Sequence, residues 1–303
     1  MMNQSNIQDT NQPVIEISHI KKSYKDKKVL DDLDIQIESG QIIGLVGRNA
    51  AGKTTLIESI MGLREIETGD IKIWQKSLAD LSQGQKEKIG FVPQDSIGFE
   101  WMRVGQYLDY FGGYFSGWDK EYSEQLTQKW KLNNKSRIAD LSGGQQQILQ
   151  VIQALSIKPK LLILDEPVAH LDPNMRRQFL SALVEMTCEL GTTVLFSTHI
   201  ISDLERVASH IALLNHGKIE HFYELEDLKA HTASLLFQKE TPEARKFDNL
   251  INWQSINNGN KAVIAGPNGP TVSEIEKQLG ISIQSQPLSL EDWYLEVTNE
   301  TNS

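Results

Sequence analysis

Three observations predict an α/β fold for this 303-residue chain. Ile42–Val46 and Leu161–Leu164 are short continuous apolar runs, as expected of strands buried on both faces. A glycine-rich turn follows the first run and leads into a helical pattern carrying Leu56, Ile57, Ile60 and Met61. Buried strands and helices then alternate as far as Thr192–Phe196, the order of a sheet covered by helices.

The other elements follow in chain order. Residues 1–13 read as a polar tail rich in Asn and Gln. Val14–Ile17 and Leu33–Ile37 alternate apolar and polar residues, which predicts antiparallel strands around the basic stretch Lys21–Lys28. A strand pair is predicted around Gly69–Trp74. Tyr107, Tyr110, Phe111, Tyr114, Phe115 and Trp118 recur at helical spacing, and Gly112 with Gly113 argues against one unbroken helix there. Helices are expected over Gln145–Ile157 and Arg176–Leu190. Asn215-His216-Gly217 predicts a hairpin between Ile211–Leu214 and Lys218–Phe222. Beyond about residue 232 the pattern restarts as a small α+β appendage. Its expected strands are Ser234–Phe237, Ala262–Ala265 and Ile281–Gln284. A helix opens on the capping-box match Thr271-Val272-Ser273-Glu274 and stops at Gly280, and Ser289–Val297 forms a terminal helix. The expected organisation is a tail over 1–13, a main domain over 14–231 with a helical subdomain at about 95–145, and a second domain over 232–303.

Composition narrows the function. Hydrophobic residues make up 39% and charged residues 23%, which suits a folded globular chain. No apolar run approaches the length of a membrane span, and no secretory signal opens the sequence. A net charge of -10 argues against general nucleic-acid binding, so no direct nucleic-acid partner is expected. The single cysteine, Cys188, excludes an internal disulfide and a multi-cysteine metal site, and is compatible with a reducing cytosol.

The strongest motif is Gly47-Arg48-Asn49-Ala50-Ala51-Gly52-Lys53-Thr54, followed by Thr55. It matches the phosphate-binding loop at every fixed position and sits between a predicted strand and helix. Glycines let backbone N–H groups curl around phosphate oxygens, and the helix N-terminus favours negative charge. Lys53 is expected on the β- and γ-phosphates of ATP, and the Thr54 hydroxyl on Mg²⁺. Leu161–Leu164 delivers Asp165 and Glu166 at its C-terminal end, where open α/β sheets bind ligands. Asp165 would hold Mg²⁺, and Glu166 would orient and deprotonate the attacking water.

Leu141-Ser142-Gly143-Gly144-Gln145 precedes a helix, and a Ser-Gly-Gly turn is by itself an ordinary N-cap. Paired with the phosphate loop, it resembles the signature motif of the ATP-binding subunits of ABC transporters. The resemblance covers about residues 14–225. It implies an ATPase core with an antiparallel β subdomain and a helical subdomain. It also implies that Ser142, Gly143, Gly144 and Gln145 contact ATP across a dimer, and that a second ATPase subunit, homo- or heterodimeric, is a partner. Phe91-Val92-Pro93-Gln94 is similar to the family's glutamine loop, so Gln94 is expected at Mg²⁺ and the attacking water. Leu171-Asp172 resembles the end of the D-loop, and Ser197-Thr198-His199 the switch histidine, which places His199 near the γ-phosphate. Tyr24 falls where the family stacks an aromatic on adenine. Two departures concern cross-dimer contacts: no Arg or Lys follows the signature within Gln145-Gln146-Gln147-Ile148, and Val168-Ala169-His170 replaces the usual Thr-Ser-Ala.

The family resemblance further implies separate membrane permease chains and a position at the cytoplasmic face of the cell membrane. Ser289–Tyr294 looks like the ending of bacterial exporter ATPases of the bacitracin-resistance and antibiotic-export type, and reads equally well as an ordinary capped helix. The aromatic stripe reads as subdomain core, as permease groove, or as both on different faces. Two alternatives stand beside transport. An ABC ATPase acting on a soluble assembly would share every motif, whereas a substrate kinase leaves the signature and His199 without a role.

Overall fold

The computed structural model describes residues 12–94, 98–238, 241–256, 259–267 and 269–299. Most of the tail expected over 1–13, and Asp95 of the loop after Gln94, lie outside those residues.

The chain opens with β1 (Ile15–Tyr24) and β2 (Lys27–Ile37), paired antiparallel with Ile15 opposite Ile37 and Ile17 opposite Ile35. After β3 (Ile42–Val46) come α1 (Lys53–Ile60) and β4 (Thr68–Ile73). The pair expected around Gly69–Trp74 is instead one strand, β4, which completes a three-stranded sheet on β1. The Ile73–Lys76 bridge folds back locally. The sequence pattern could show an extended segment but not that its partner lies some 50 residues upstream, because register is a tertiary choice.

Next come α2 (Gln83–Lys86), β5 (Ile89–Val92), α3 (Val104–Tyr114), α4 (Lys120–Lys129), α5 (Gly143–Ser156), β6 (Leu161–Leu164), α6 (Pro173–Leu190), β7 (Thr193–Ser197), α7 (Ile201–Val207), β8 (His210–Asn215), β9 (Lys218–Glu224) and α8 (Leu225–Ala230). Helix α3 includes Gly112 and Gly113 but stops at Tyr114, so the aromatic stripe as far as Trp118 is not one unbroken helix, as those glycines predict. A Cβ at Gly112 would lie 3.0 Å from Trp118 Nε1, so the position is small because the indole returns against the helix. The remaining elements are β10 (Ala233–Phe237), β11 (Leu250–Ile256), β12 (Gly259–Ile264), α9 (Val272–Leu279), β13 (Gln284–Pro287) and α10 (Leu290–Asn299). The strand expected over Ile281–Gln284 therefore lies further along. Ile283 is buried in the core before β13, and the ladder with β10 starts at Gln284.

Strands β5, β6, β7, β3, β8 and β9 form one sheet in that order, parallel except for β9. Alternation along each strand feeds two cores. Ile43, Leu45, Leu161 and Ile163 face the antiparallel sheet with Ile17, Leu33 and Ile37. Val46, Leu162, Leu164, Val194 and Phe196 face the helical side with Ile148, Val151 and Phe179. Each such side chain contributes about 1.5–3 kcal/mol by leaving water. The C-terminal sheet, β11-β12-β10-β13, has its own small core with Leu235, Phe237 and Ile275. Helix α10 leaves that core and returns Leu290, Trp293 and Val297 to the main helical-side core.

Candidate functional site

Four strands that lie side by side, β5, β6, β7 and β3, end at the same edge of the parallel sheet. Gln94 follows β5, Asp165 and Glu166 follow β6, His199 follows β7, and the loop Gly47–Gly52 follows β3. This is the carboxyl edge at which open α/β sheets bind ligands.

Gly52 caps α1 with φ 110, a left-handed conformation that glycine adopts without strain. Its missing Cβ also lets the Val29 carbonyl approach: a Cβ there would sit 2.9 Å from that oxygen. The turn directs the first amides of α1 toward the loop and leaves Lys53, Thr54 and Thr55 in the first helical turn. Arg48, Asn49 and Ala50 are exposed on the loop, with Ala51 half-buried behind them. Lys53 is buried and donates to the Gly47 carbonyl at 2.8 Å. Its ammonium lies 3.9 Å from Glu166 Oε1. Burial pushes the Lys53 ammonium below its ordinary pKa, against the opposing pull of Glu166 and Asp165.

Asp165 and Glu166 are both buried. Burial pushes the Asp165 carboxyl up, and hydrogen bonds from Ser197 and Thr54 oppose that shift. Thr54 Oγ1 also lies 3.3 Å from Gln94 Oε1, so Thr54, Gln94 and Asp165 converge. Glu166 has φ 49, a strained conformation for a residue with a side chain. Its N–H donates to Ser197 Oγ at 2.8 Å, and its Oε2 meets His199 Nδ1 at 2.8 Å. Ser197 Oγ in turn donates to Asp165 Oδ1 at 2.5 Å. Ser197 thus orients both carboxylate residues, a role that motif reading does not reveal. Its cause is register: Leu164 pairs with Phe196, which sets residues 165 and 197 side by side.

Two groups of expected site residues lie apart from this cluster. Ser142 caps α5, accepting the Gln145 N–H at 3.3 Å, and Gln145 Oε1 accepts the Ser142 N–H at 3.0 Å. Gly143 is exposed, and Gly144 packs on the His170 carbonyl. Tyr24 is 40% exposed, with Lys22 and Arg64 cations 5.5 and 5.8 Å from its ring centre. Among the described residues, no recorded hydrogen bond or ion pair joins either group to the cluster.

The buried lysine, the loop at a helix N-terminus and the paired carboxylates form a site for a polyphosphate and for attack by water. Comparison with known proteins agrees. The family model described as ABC transporter matches residues 30–169. An uncharacterized ABC transporter ATP-binding protein of Bacillus subtilis, YhcH, is 30% identical over 95% of this chain and 97% of its own length.

The chain belongs to the ABC transporter ATP-binding proteins.

Relatives of this ABC ATPase are named for both directions of transport. The Nod factor export ATP-binding protein I of Rhizobium meliloti is 34% identical, over 67% of this chain and 62% of its own. The methionine import ATP-binding protein MetN of Clostridium tetani is 31% identical, over 71% of this chain and 70% of its own. A solved ATP-binding subunit of an ABC transporter superposes with TM-score 0.65 at 23% identity, covering 88% of this chain and 99% of that one. ATP is the nucleotide of this ABC ATPase. Among its described residues, no helix is long and apolar enough to cross a membrane.

Proposed function

We propose that this ABC ATPase powers transport, in the export direction, through a separate membrane permease at the cytoplasmic face of the cell membrane. The observation that carries the reading is the meeting of Lys53, Glu166 and His199 at one sheet edge, with Glu166 touching both partners. Glu166 is the general base for water, and His199 holds its carboxylate from the other side. Lys53 binds the β- and γ-phosphates together with the backbone of Gly47–Thr54, and Tyr24 offers a ring face to adenine.

Thr54, Gln94 and Asp165 supply a hydroxyl, an amide oxygen and a carboxylate, a donor set that suits Mg²⁺. Among the described residues no group of three His, Cys, Asp or Glu side chains forms a metal cage. When bound, Mg²⁺ would neutralise charge on the β- and γ-phosphates.

The signature residues open α5 with Ser142 and Gly143 exposed, which supports their use by a second ATPase subunit. Trp101, Tyr110 and Tyr114 are 73%, 54% and 64% exposed, while Tyr107 is buried in the core. The aromatic stripe thus serves the subdomain core on one face and offers the other to a permease. Export is proposed on the resemblance of Ser289–Tyr294.

The test is purification of the full chain from membranes of its own cells. Recovery of a multi-span membrane protein, cross-linked through residues placed at Trp101 or Tyr110, is the expected result. Recovery only with soluble partners would favour the assembly-acting alternative. ATP-dependent substrate movement in inverted vesicles then reads the direction.

A further inference from the structure

Glu166 and His199 follow different strands, β6 and β7, and each is followed by a helix, α6 from Pro173 and α7 from Ile201. Helix α6 starts at its cap Asp172, whose carboxylate accepts the N–H groups of Asn174 and Met175 at 2.9 and 3.0 Å. Helix α7 starts at Ile201, two residues after His199. A charged pair bridges the two helices. Arg176 Nε lies 3.6 Å from Asp203 Oδ2, and the Asp203 side chain is 5% exposed. Neither of these two atoms has a hydrogen-bond partner. Another nitrogen of the same guanidinium, Nη2, reaches back to the Leu171 carbonyl at 3.5 Å.

A buried carboxylate oxygen without a donor is costly, and burial pushes the Asp203 carboxyl up; Arg176, its ion-pair partner, opposes that shift most, with smaller help from Arg206 and His199. Arg176 thereby holds two things at once: the end of the segment that leaves Glu166, and the helix that leaves His199. The Glu166–His199 contact closes the other end of the same frame. Two struts between two elements fix their relative rotation, where one strut leaves a hinge.

We propose that Arg176 is a positioning residue for ATP hydrolysis, which through Asp203 and the Leu171 carbonyl holds His199 in register with Glu166. The inference rests on the reading of Glu166 and His199 as the hydrolytic pair. Glu166 and His199 need their geometry only when water attacks, whereas ATP binding uses Lys53 and the loop. Loss of the strut therefore lowers kcat and leaves KM for ATP unchanged.

The experiment measures kcat, KM for ATP and melting temperature of the full chain in four forms beside wild type. Arg176→Met removes the ion-pair partner of Asp203 and leaves only the weaker pull of Arg206 and His199, so both kcat and melting temperature fall. Arg176→Met with Asp203→Leu replaces the pair by apolar groups and restores stability. Its kcat stays about tenfold or more below wild type, because small misplacements of reacting groups have large rate effects. Arg176→Lys keeps the charge but not the fork that reaches both partners, and gives a kcat loss at near-wild-type melting temperature even where the double variant fails to fold. A kcat within about twofold of wild type in either the double variant or Arg176→Lys, once folded, overturns the proposal and leaves the pair a structural one. Glu166→Gln is the fourth form. If it also retains turnover, the hydrolytic reading itself fails; if it alone loses turnover, only the role of Arg176 does.

Discussion

His199 Nδ1 and Glu166 Oε2 are 2.8 Å apart, although 33 residues separate them in the chain. The carboxylate is gripped on its other side by the buried Lys53 ammonium at 3.9 Å. A carboxylate held from both sides in this way keeps its orientation, as the proposed role of general base requires.

Glu166→Gln keeps the shape and loses the basicity. Steady-state phosphate release should fall by roughly 10²–10⁴-fold, the usual share of a positioned base. ATP binding, measured by fluorescence titration, should persist. Release within about threefold of wild type would rule out the assigned role.

Tyr24→Ala should weaken ATP binding by about 1–2 kcal/mol, the scale of base–aromatic stacking. Tyr24→Phe should be near neutral, since the ring face and not the hydroxyl is used. Calorimetric titration of both variants decides it: equal losses would point to a hydroxyl hydrogen bond.

Gly144 and Gly143 should behave oppositely. A Cβ at Gly144 would sit 2.5 Å from the His170 carbonyl oxygen, whereas a Cβ at Gly143 meets nothing within 4 Å. Gly144→Ala should cost about 1–3 kcal/mol of stability through overpacking. Gly143→Ala should stay within about 0.5 kcal/mol. Urea unfolding of the two variants gives both values.

Acid should loosen the seam between β9 and α10. Burial pushes His221 below its ordinary pKa of 6.5, and its ring lies against Trp293. Between the folded and unfolded pKa values the unfolded chain binds more protons, so stability falls as pH drops below about 6.5. His221→Gln should flatten that part of the stability profile, read by urea unfolding between about pH 5 and 7. An unchanged slope would remove His221 from the account.

The signature is tested by mixing. Lys53→Ala and Ser142→Arg chains should each be nearly inactive alone, since every site in either homodimer is damaged. If Ser142 acts across the dimer, the mixed dimer contains one intact site and recovers hydrolysis. No recovery, in mixed dimers shown to form and with single-site turnover shown by a wild-type/variant dimer, would place both lesions in one chain.

Local chemistry made much of this protein legible from its residues. The phosphate loop is a run of contiguous residues whose turn and helix start depend on near neighbours, so Gly47–Thr55 could be read directly. The buried strands Ile42–Val46 and Leu161–Leu164, and the capping box at Thr271–Glu274, are local in the same sense. Even the hairpin at His216-Gly217, with both residues at positive φ, follows from two adjacent side chains. Strand partners and cross-chain contacts are another matter. That β4 pairs with β1, that Gly112 makes room for Trp118, and that α10 returns to the main core depend on segments far apart in sequence. Ser197 is legible in the sequence only as the residue that opens the switch-histidine match. It reaches Asp165 and Glu166 only because parallel pairing of β6 with β7 puts their ends in step. Arg176 finds Asp203 only because α6 and α7 pack together. The sequence alone determined which groups are candidates for the chemistry, since that depends on residue type and near spacing. The tertiary structure alone decided what holds those groups in place, since that depends on which strands and helices become neighbours.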